Sequence, residues 1–312
     1  MSKVFEKIKN SKSILILTHE NPDGDAIGSS MAMYHILSEM GKDVSVVIPE
    51  YPETFLFLDD IDIIKKESTE EYDLAIVVDC ASKKRIGQNN GEFDNCRDSL
   101  IIDHHASNTR YANLDLIEGS TSSCCQVIYY LLKKDMINIS KKTARALATG
   151  MLTDTAGFRN CDVDQNTFLM AADLVGVGVD MQKIYYLVLS KKTMAQYMLM
   201  KMTLDRMEMY ADGKIAFSYI SKEDMENVGA KKGDHEGLVD IGRNIDGVEV
   251  SIFMREDNGY NFSFRSNGKV NVNEIAKKFD GGGHVMAAGG KIDKSFKETK
   301  EMLLNETIKE FK

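Results

Sequence analysis

Short, uninterrupted apolar runs alternate with helix-like stretches over the first 190 residues. Ser13–Thr18 (SILILT), Val44–Ile48, Leu74–Asp79 (LAIVVD) and Leu100–Asp103 (LIID) read as strands. Continuous apolar runs of this length, rather than alternating ones, mark strands buried on both faces of a parallel sheet. Helices are expected from about Asp25 to Met40, ending at Gly41, and near Ser122–Lys134, Lys141–Leu152 and Asn166–Val175. Such β-α-β alternation predicts an α/β fold with a parallel sheet flanked by helices. Ligands in such sheets gather beyond the carboxyl ends of the strands. His19, Asp79 and Asp103 each stand where an apolar run stops.

The pattern then changes. From about Ser190 to Ala211 the chain is helix-like and carries Met194, Met198, Met200, Met202, Met207 and Met209, which suit adaptable packing. Beyond Asp212-Gly213, strands are expected at Ile215–Ile220, Val248–Met254 and Tyr260–Arg265, with turn signals at Asp246-Gly247 and Asn258-Gly259. A helix from about Val272 to Phe279 leads into Gly281-Gly282-Gly283-His284, and a last helix starts near Phe296. The expected organisation is a parallel-sheet domain over residues 1–190, a connecting helix over 191–211 and a smaller mixed-sheet domain over 212–312. The active site is expected in the cleft between the two domains.

Composition narrows the class. The 312 residues are 43% apolar, enough for real cores, and no apolar run approaches the length of a membrane span. The lysines and short apolar run at the N-terminus are followed by His and acids, not by small residues at a cleavage site, so no signal peptide is expected. Five cysteines without metal-finger spacing suit reduced thiols in a cytoplasmic protein. Charge is uneven: residues 1–190 carry 28 acids against 19 Lys and Arg, whereas residues 191–312 carry 20 of each. An acidic first half attracts divalent cations and disfavours long duplex nucleic acid, whose binding rests on Lys and Arg.

The candidate chemistry lies in that acidic half. His19-Glu20-Asn21-Pro22-Asp23-Gly24-Asp25 places one imidazole and two carboxylates on a tight loop after a strand. Taken alone, this segment reads equally well as a turn capping the next helix, with Asp25 as N-cap. Asp79 at a strand end has the same two readings. Asp103-His104-His105 is more specific, because two adjacent imidazoles and a carboxylate add little to packing. Asp154, in Thr153-Asp154-Thr155, is weak by itself. Together these are ligands of the kind that hold Mn²⁺ or Mg²⁺, and two such ions close together are apparatus for hydrolysing a phosphate ester.

The ordered motifs HENPDGD (19–25), VVDCA (77–81), DHHASN (103–108), LTDTAGF (152–158) and FRSNGKVNVNEIAKKFDGGGHVMAAG (264–289) resemble the DHH/DHHA1 phosphoesterase superfamily over nearly the whole chain. The likeness runs most strongly to its bacterial members that act as nanoRNases and 3′-phosphoadenosine-5′-phosphate (pAp) phosphatases. The resemblance implies that His19 and Asp23 hold one metal and that Asp25, His104 and Asp154 hold a second. It implies that Asp79 bridges both, that His105 lies beside the scissile phosphate, and that Asp103 orients an imidazole. The implied cofactors are two divalent cations, Mn²⁺ foremost, with Mg²⁺ or Co²⁺ admissible. In the second domain it implies substrate binding by Arg265, Ser266, Gly281, Gly282, Gly283 and His284. Family members commonly show a fourth glycine where this chain has Asp280.

Neighbouring readings are weaker. No Gly-x-Gly-x-x-Gly opens a helix after the first strand, which disfavours a dinucleotide-dependent dehydrogenase. Pyrophosphatases of the same superfamily lack the GGGH box. The expected function is therefore metal-dependent hydrolysis of short single-stranded oligoribonucleotides and dephosphorylation of pAp, by a cytoplasmic protein with no membrane partner and with room for a homodimer. Alternatives are a stand-alone phosphodiesterase of c-di-AMP or linear pApA, and a non-catalytic nucleotide sensor. His35 is expected to be structural and His235 to lie on a surface loop. Arg110, Ser122, Ser123 and Arg243 are lesser candidates for the site.

Overall fold

A computed structural model describes residues 2–159, 163–231 and 233–311. It divides into two compact units, Met1–Lys191 and Lys192–Lys312.

In the first unit, β1 (Ser13–Leu17), β2 (Asp43–Val46), β3 (Leu74–Val78), β4 (Ser99–Asp103) and β5 (Leu114–Ile117) form one sheet in the order β2-β1-β3-β4-β5. Every pairing is parallel. The apolar runs are uninterrupted because both faces are covered. Ile14, Ile16, Leu74, Ile76, Val78, Leu100 and Ile102 enter one core, and Leu15, Leu17, Ala75, Val77 and Ile101 enter the other. The half-exposed edge strand β5 was not foreseen.

The larger core is closed by α1 (Lys3–Asn10), α2 (Gly24–Glu39), α3 (Cys124–Lys134), α4 (Lys141–Asp154) and α5 (Gln165–Gly176). Helices α2 and α4 pack very closely, and glycine makes this possible. A Cβ on Gly28 would lie 2.6 Å from the Ala146 carbonyl oxygen. One on Gly150 would lie 2.3 Å from Cys125 Sγ and 2.5 Å from Asp25 Oδ1, in space the Asp25 carboxylate needs. Asp154, the last residue of α4, is thereby carried to the same rim as the strand ends.

In the second unit, β6 (Glu208–Tyr210), β7 (Ile215–Ile220), β8 (Val250–Glu256), β9 (Tyr260–Ser266), β10 (Gly282–His284) and β11 (Ala287–Ile292) form a mixed sheet ordered β10-β11-β9-β8-β7-β6. Only β7 and β8 pair in parallel. The Met-rich helix, α6, spans Met194–Asp205, shorter than the 191–211 expected. Residues 208–210 extend and pair antiparallel with β7. Leu199 of α6 is buried with Leu238 and Val239 of α7 (Leu238–Arg243) against Phe253, whereas Met194 stays 75% exposed. Helices α8 (Val272–Lys277) and α9 (Phe296–Ile308) cover the opposite sheet face through Val272, Ile275, Leu303 and Leu304. The described cysteines, Cys80, Cys96, Cys124 and Cys125, are free; Cys161 lies outside the described residues. No described helix is long and apolar enough to cross a membrane.

Candidate metal centre

β1, β3 and β4 are neighbours in the first sheet, so their carboxyl ends present His19, Asp79 and Asp103-His104-His105 side by side. The loop after β1 adds Asp23 and Asp25, and α4 adds Asp154. Donor atoms of His19, Asp23 and Asp79 lie within 4.8 Å of one another, as do those of Asp25, His104 and Asp154, and those of Asp79, His104 and His105.

Asp79 stands at the middle. Its Oδ2 lies 3.7 Å from His19 Nε2, while its Oδ1 lies 3.6 Å from both His104 Nε2 and His105 Nδ1. Its two oxygens thus face different donor sets. The residue is 2% exposed, and Oδ1 has no hydrogen-bond partner. An orphaned buried carboxylate oxygen is costly, and a cation would satisfy it. Burial pushes the Asp79 carboxyl well above the usual range, and the charges of Asp25, Asp23, Asp154 and Asp103 add to the shift. Its φ of +52° is left-handed, an uncommon conformation for a residue with a side chain and one found most at functional turns.

The surrounding backbone prepares the imidazoles. His19 Nδ1 lies 2.8 Å from the Glu20 carbonyl, and His104 Nδ1 lies 3.3 Å from the Thr121 carbonyl. Donation from Nδ1 leaves each Nε2 with its lone pair facing the carboxylates, the tautomer a metal ligand needs. From there His19 Nε2 is 3.9 Å from Asp23 Oδ2, and His104 Nε2 is 3.4 Å from Asp154 Oδ2. Burial lowers the His19 pKa and keeps the ring neutral. Burial also acts to lower His104, but the charges of Asp25 and Asp154 outweigh it and the net shift is upward.

Asp23, not Asp25, is the N-cap of α2. Its Oδ1 accepts from the backbone N–H groups of Asp25 and Ala26, each at 3.0 Å, which leaves Oδ2 for His19 and a cation. Capping and ligation are therefore compatible in one side chain. Asp25 does meet a helix start, but that of α3: it accepts from Cys124 N at 2.6 Å and Cys125 N at 3.0 Å. Burial raises its pKa, against these N–H donors and the positive helix end.

Asp103 is fully buried and anchors the DHH turn. Its Oδ1 accepts from His104 N at 2.8 Å and from His105 Nδ1 at 2.8 Å, and its Oδ2 accepts from Asn108 Nδ2. Burial would raise this carboxyl, but the His105 and Asn108 hydrogen bonds prevail and hold it below the usual range. With Nδ1 engaged by Asp103, Nε2 is the His105 nitrogen left for a substrate. Residue type alone did not reveal the carbonyls of Glu20 and Thr121, the N–H groups of Cys124 and Cys125, or the clamp by Asn108. The only signal was Asn108 itself, inside the DHHASN motif.

Other candidates are placed elsewhere. Ser122 donates to Gln126 Oε1, and Ser123 caps α3. Arg110 is exposed, 3.4 Å from Asp115. His35 is buried, with Nε2 3.4 Å from Asp60 Oδ2, as a structural residue would be. In the second unit, Ser266 has structural partners. It is 2% exposed, its hydroxyl lies 3.3 Å from Glu249 Oε1, and it accepts from Gly268 N, so it builds the turn after β9. The GGG box is not an open loop either. Gly282, Gly283 and His284 pair with Gly289, Ala288 and Ala287. A Cβ at Gly281 would lie 2.4 Å from the Gly289 carbonyl oxygen and one at Gly283 2.3 Å from that of Ala287, so close strand approach explains both. Gly282 meets nothing closer than 3.9 Å, and His284 is exposed. Arg265 has Nε 3.7 Å from Asp240, which also pairs with Arg243 at 2.9 Å.

Comparisons with known proteins identify both domains of the chain. Residues 13–151 match the DHH family N-terminal domain and residues 212–312 match the DHHA1 domain. The bifunctional oligoribonuclease and PAP phosphatase NrnA of Thermus thermophilus is 30% identical over 291 residues, covering 89% of this chain and 84% of that one. Its namesake from Bacillus subtilis is 28% identical, covering 90% and 89%. The crystal structure of an exopolyphosphatase-related protein from Bacteroides fragilis superposes with a TM-score of 0.92 at 28% identity, over 99% of this chain and 95% of that one. With a paired-carboxylate centre at the strand ends and both domain signatures in order, the chain belongs to the DHH phosphoesterase family, in its DHH–DHHA1 form.

Proposed function

We propose that this chain is a cytoplasmic hydrolase of short single-stranded oligoribonucleotides that also converts pAp to AMP, using two divalent cations, Mn²⁺ foremost. The observation that carries the reading is the division of Asp79: one oxygen toward His19, the other toward His104 and His105. His19 and Asp23 would hold one ion, Asp25, His104 and Asp154 the other, with Asp79 shared. Mixed imidazole and carboxylate donors suit Mn²⁺ and admit Mg²⁺ or Co²⁺. Bound there, such a pair supplies Lewis-acid stabilisation of phosphoryl oxygens and a nucleophile at neutral pH.

The residues of the chain do the positioning. Glu20 and Thr121 carbonyls fix two ligand tautomers, and the α3 N-terminus fixes Asp25. Asp103 fixes the His105 ring by engaging Nδ1, so that Nε2 is the atom proposed to hand a proton to the departing oxygen when the ring is an imidazolium, and otherwise to accept one. Net hydrolysis adds water across one P–O bond: its oxygen stays on phosphorus and a proton goes to the leaving oxygen. In the second unit, His284 and Arg265, beside the open Gly282, are the groups proposed to grip a terminal phosphate.

The direct test is hydrolysis of pAp and of two- to five-nucleotide RNAs with Mn²⁺, Mg²⁺, Co²⁺ and chelator. Turnover with Mn²⁺ that chelator abolishes is expected. Tight nucleotide binding with no turnover would favour the sensor instead. For His284→Ala we expect KM for pAp and dinucleotides to rise about tenfold, the loss of one charge-assisted contact, with bound metal unchanged. An unchanged KM would remove His284 from the substrate site.

A further inference from the structure

The second sheet carries a cationic row that the reading above leaves unused. On β8, β9 and β11 the core takes Ile252, Met254, Phe262, Phe264, Ala288 and Ile292. The odd-numbered side chains therefore lie on the other face. Strand register aligns Arg255 with Asn261 and Asn261 with Lys291, a cation–amide–cation row across three strands. The same register aligns Arg265 with Ala287, and Ala287 with His284. These two rows stand four residues apart on β9, about 13 Å along the strand.

The Arg255–Asn261–Lys291 row lines an open cavity of about 410 Å³, together with His235 and Ser263. Asp257 lies 3.2 Å from Arg255 Nη1 and accepts from Asn261 Nδ2 at 3.4 Å, which steadies both side chains and offsets one charge. Lys291 has no carboxylate within ion-pair distance among the described residues, so the row stays net positive. His235 is not a simple surface residue: its Nδ1 is buried and has no hydrogen-bond partner. Burial and the Arg255 charge lower its pKa, so the ring is neutral and can make a single bond to a hydroxyl.

We propose that the Arg255–Asn261–Lys291 row is a second backbone-phosphate subsite, which binds a single-stranded oligoribonucleotide whose other end is held at Arg265 and His284. This rests on the oligoribonuclease reading and extends it to chain length. A guanidinium fork, a point charge and an amide donor between them suit a phosphodiester, and His235 suits a ribose 2′-hydroxyl. The two phosphates of one nucleotide do not span the distance between the rows, whereas a short chain does. Length preference would then arise from residues of the second unit.

The test is equilibrium binding of labelled, hydrolysis-resistant phosphorothioate RNAs of two to five nucleotides to the full, metal-loaded chain. In wild type, Kd should fall at least about tenfold from dimer to pentamer, as each added phosphate contact strengthens binding. In Arg255→Gln/Lys291→Gln that gain should shrink below about threefold, and the pentamer's log–log salt slope should drop by about 0.7 per lost contact. Lys291→Gln alone, at an exposed position, should show part of the loss without a folding defect. A length gain retained in both variants, or an equal loss for dimer and pentamer, overturns the subsite. Because binding is read without turnover, the two ideas fail separately. Length-dependent binding with no hydrolysis of unmodified RNA defeats the hydrolase reading and upholds the subsite, while hydrolysis with length-independent binding defeats the subsite alone.

Discussion

Asp79→Ala is expected to leave less than about a tenth of wild-type turnover on both pAp and dinucleotides, because in the proposed centre it would be the ligand shared by both cations. The two carboxylate oxygens address different donor groups, so no other single side chain can replace them. Asp79→Asn is the sharper variant. It keeps the volume and removes the charge, so packing loss cannot explain the result. The fall should appear in kcat and in metal stoichiometry together, since losing a bridging ligand weakens both positions. Metal analysis alongside steady-state kinetics checks this. A variant that retains more than a tenth of the rate, or full metal with normal kcat, removes Asp79 from the bridging position. His284→Ala should show the opposite split, with KM moved and metal retained, so the two substitutions separate chemistry from substrate grip.

Much of the fold was legible because burial leaves a strong mark on sequence. β1, β3 and β4 are central strands covered on both sides, and their apolar runs announce them. β5 is an edge strand whose Leu114–Ile117 segment is only partly buried, so nothing forced a continuous apolar run there. β6 was hidden by the methionines in and before it: Met207 and Met209 continue the composition of α6 while the backbone turns to pair with β7.

The candidate site was legible where side chains carry the chemistry, and obscure where the backbone does. Every carboxylate and imidazole named for the rim converges there, including Asp154, which was weak by itself. The contacts that set tautomer and charge are carbonyls of Glu20 and Thr121 and N–H groups of Cys124 and Cys125, and any residue supplies those atoms. The capping alternative named Asp25 because Asp23 and Asp25 both stand at the helix start, and only geometry shows that one oxygen of Asp23 caps while the other faces His19. Ser266 and two glycines looked like anion-binding residues by type. In the structure Ser266 meets Glu249, and the glycines allow the close approach of the neighbouring strand.

Chelation should lower the thermal midpoint of the first unit by about 5–10 °C at pH 7, since cations bound well above their Kd contribute about 2–3 kcal/mol to a domain of this size. The gap should widen with pH. In the metal-free protein Asp79 and Asp25 have raised pKa values, chiefly from burial. Between the unfolded carboxylate pKa, about 3.9, and those raised values the native state holds more protons than the unfolded chain, so stability falls as pH rises through this window. His104, also raised, acts in the same direction. His19 and Asp103 are lowered and act in the opposite one: His19 favours folding as pH rises toward 6.5, and Asp103 contributes stability that is lost only as pH falls through its depressed pKa. Asp79, desolvated by burial and repelled by Asp25, Asp23, Asp154 and Asp103, is the group raised well above the usual range, and the expected net trend follows it. Cations reverse the balance, since they require ionised carboxylates and displace protons on binding. Melts from pH 5 to 8 with Mn²⁺ and with chelator read this directly. Asp79→Asn, inactive by the argument above, should melt higher than wild type in chelator and lower than wild type in Mn²⁺, because the site gives up stability for the ability to hold charge. Equal midpoints with and without chelator at pH 7, or an Asp79→Asn variant that melts below wild type in chelator, would show that these buried acids are not poised for cations.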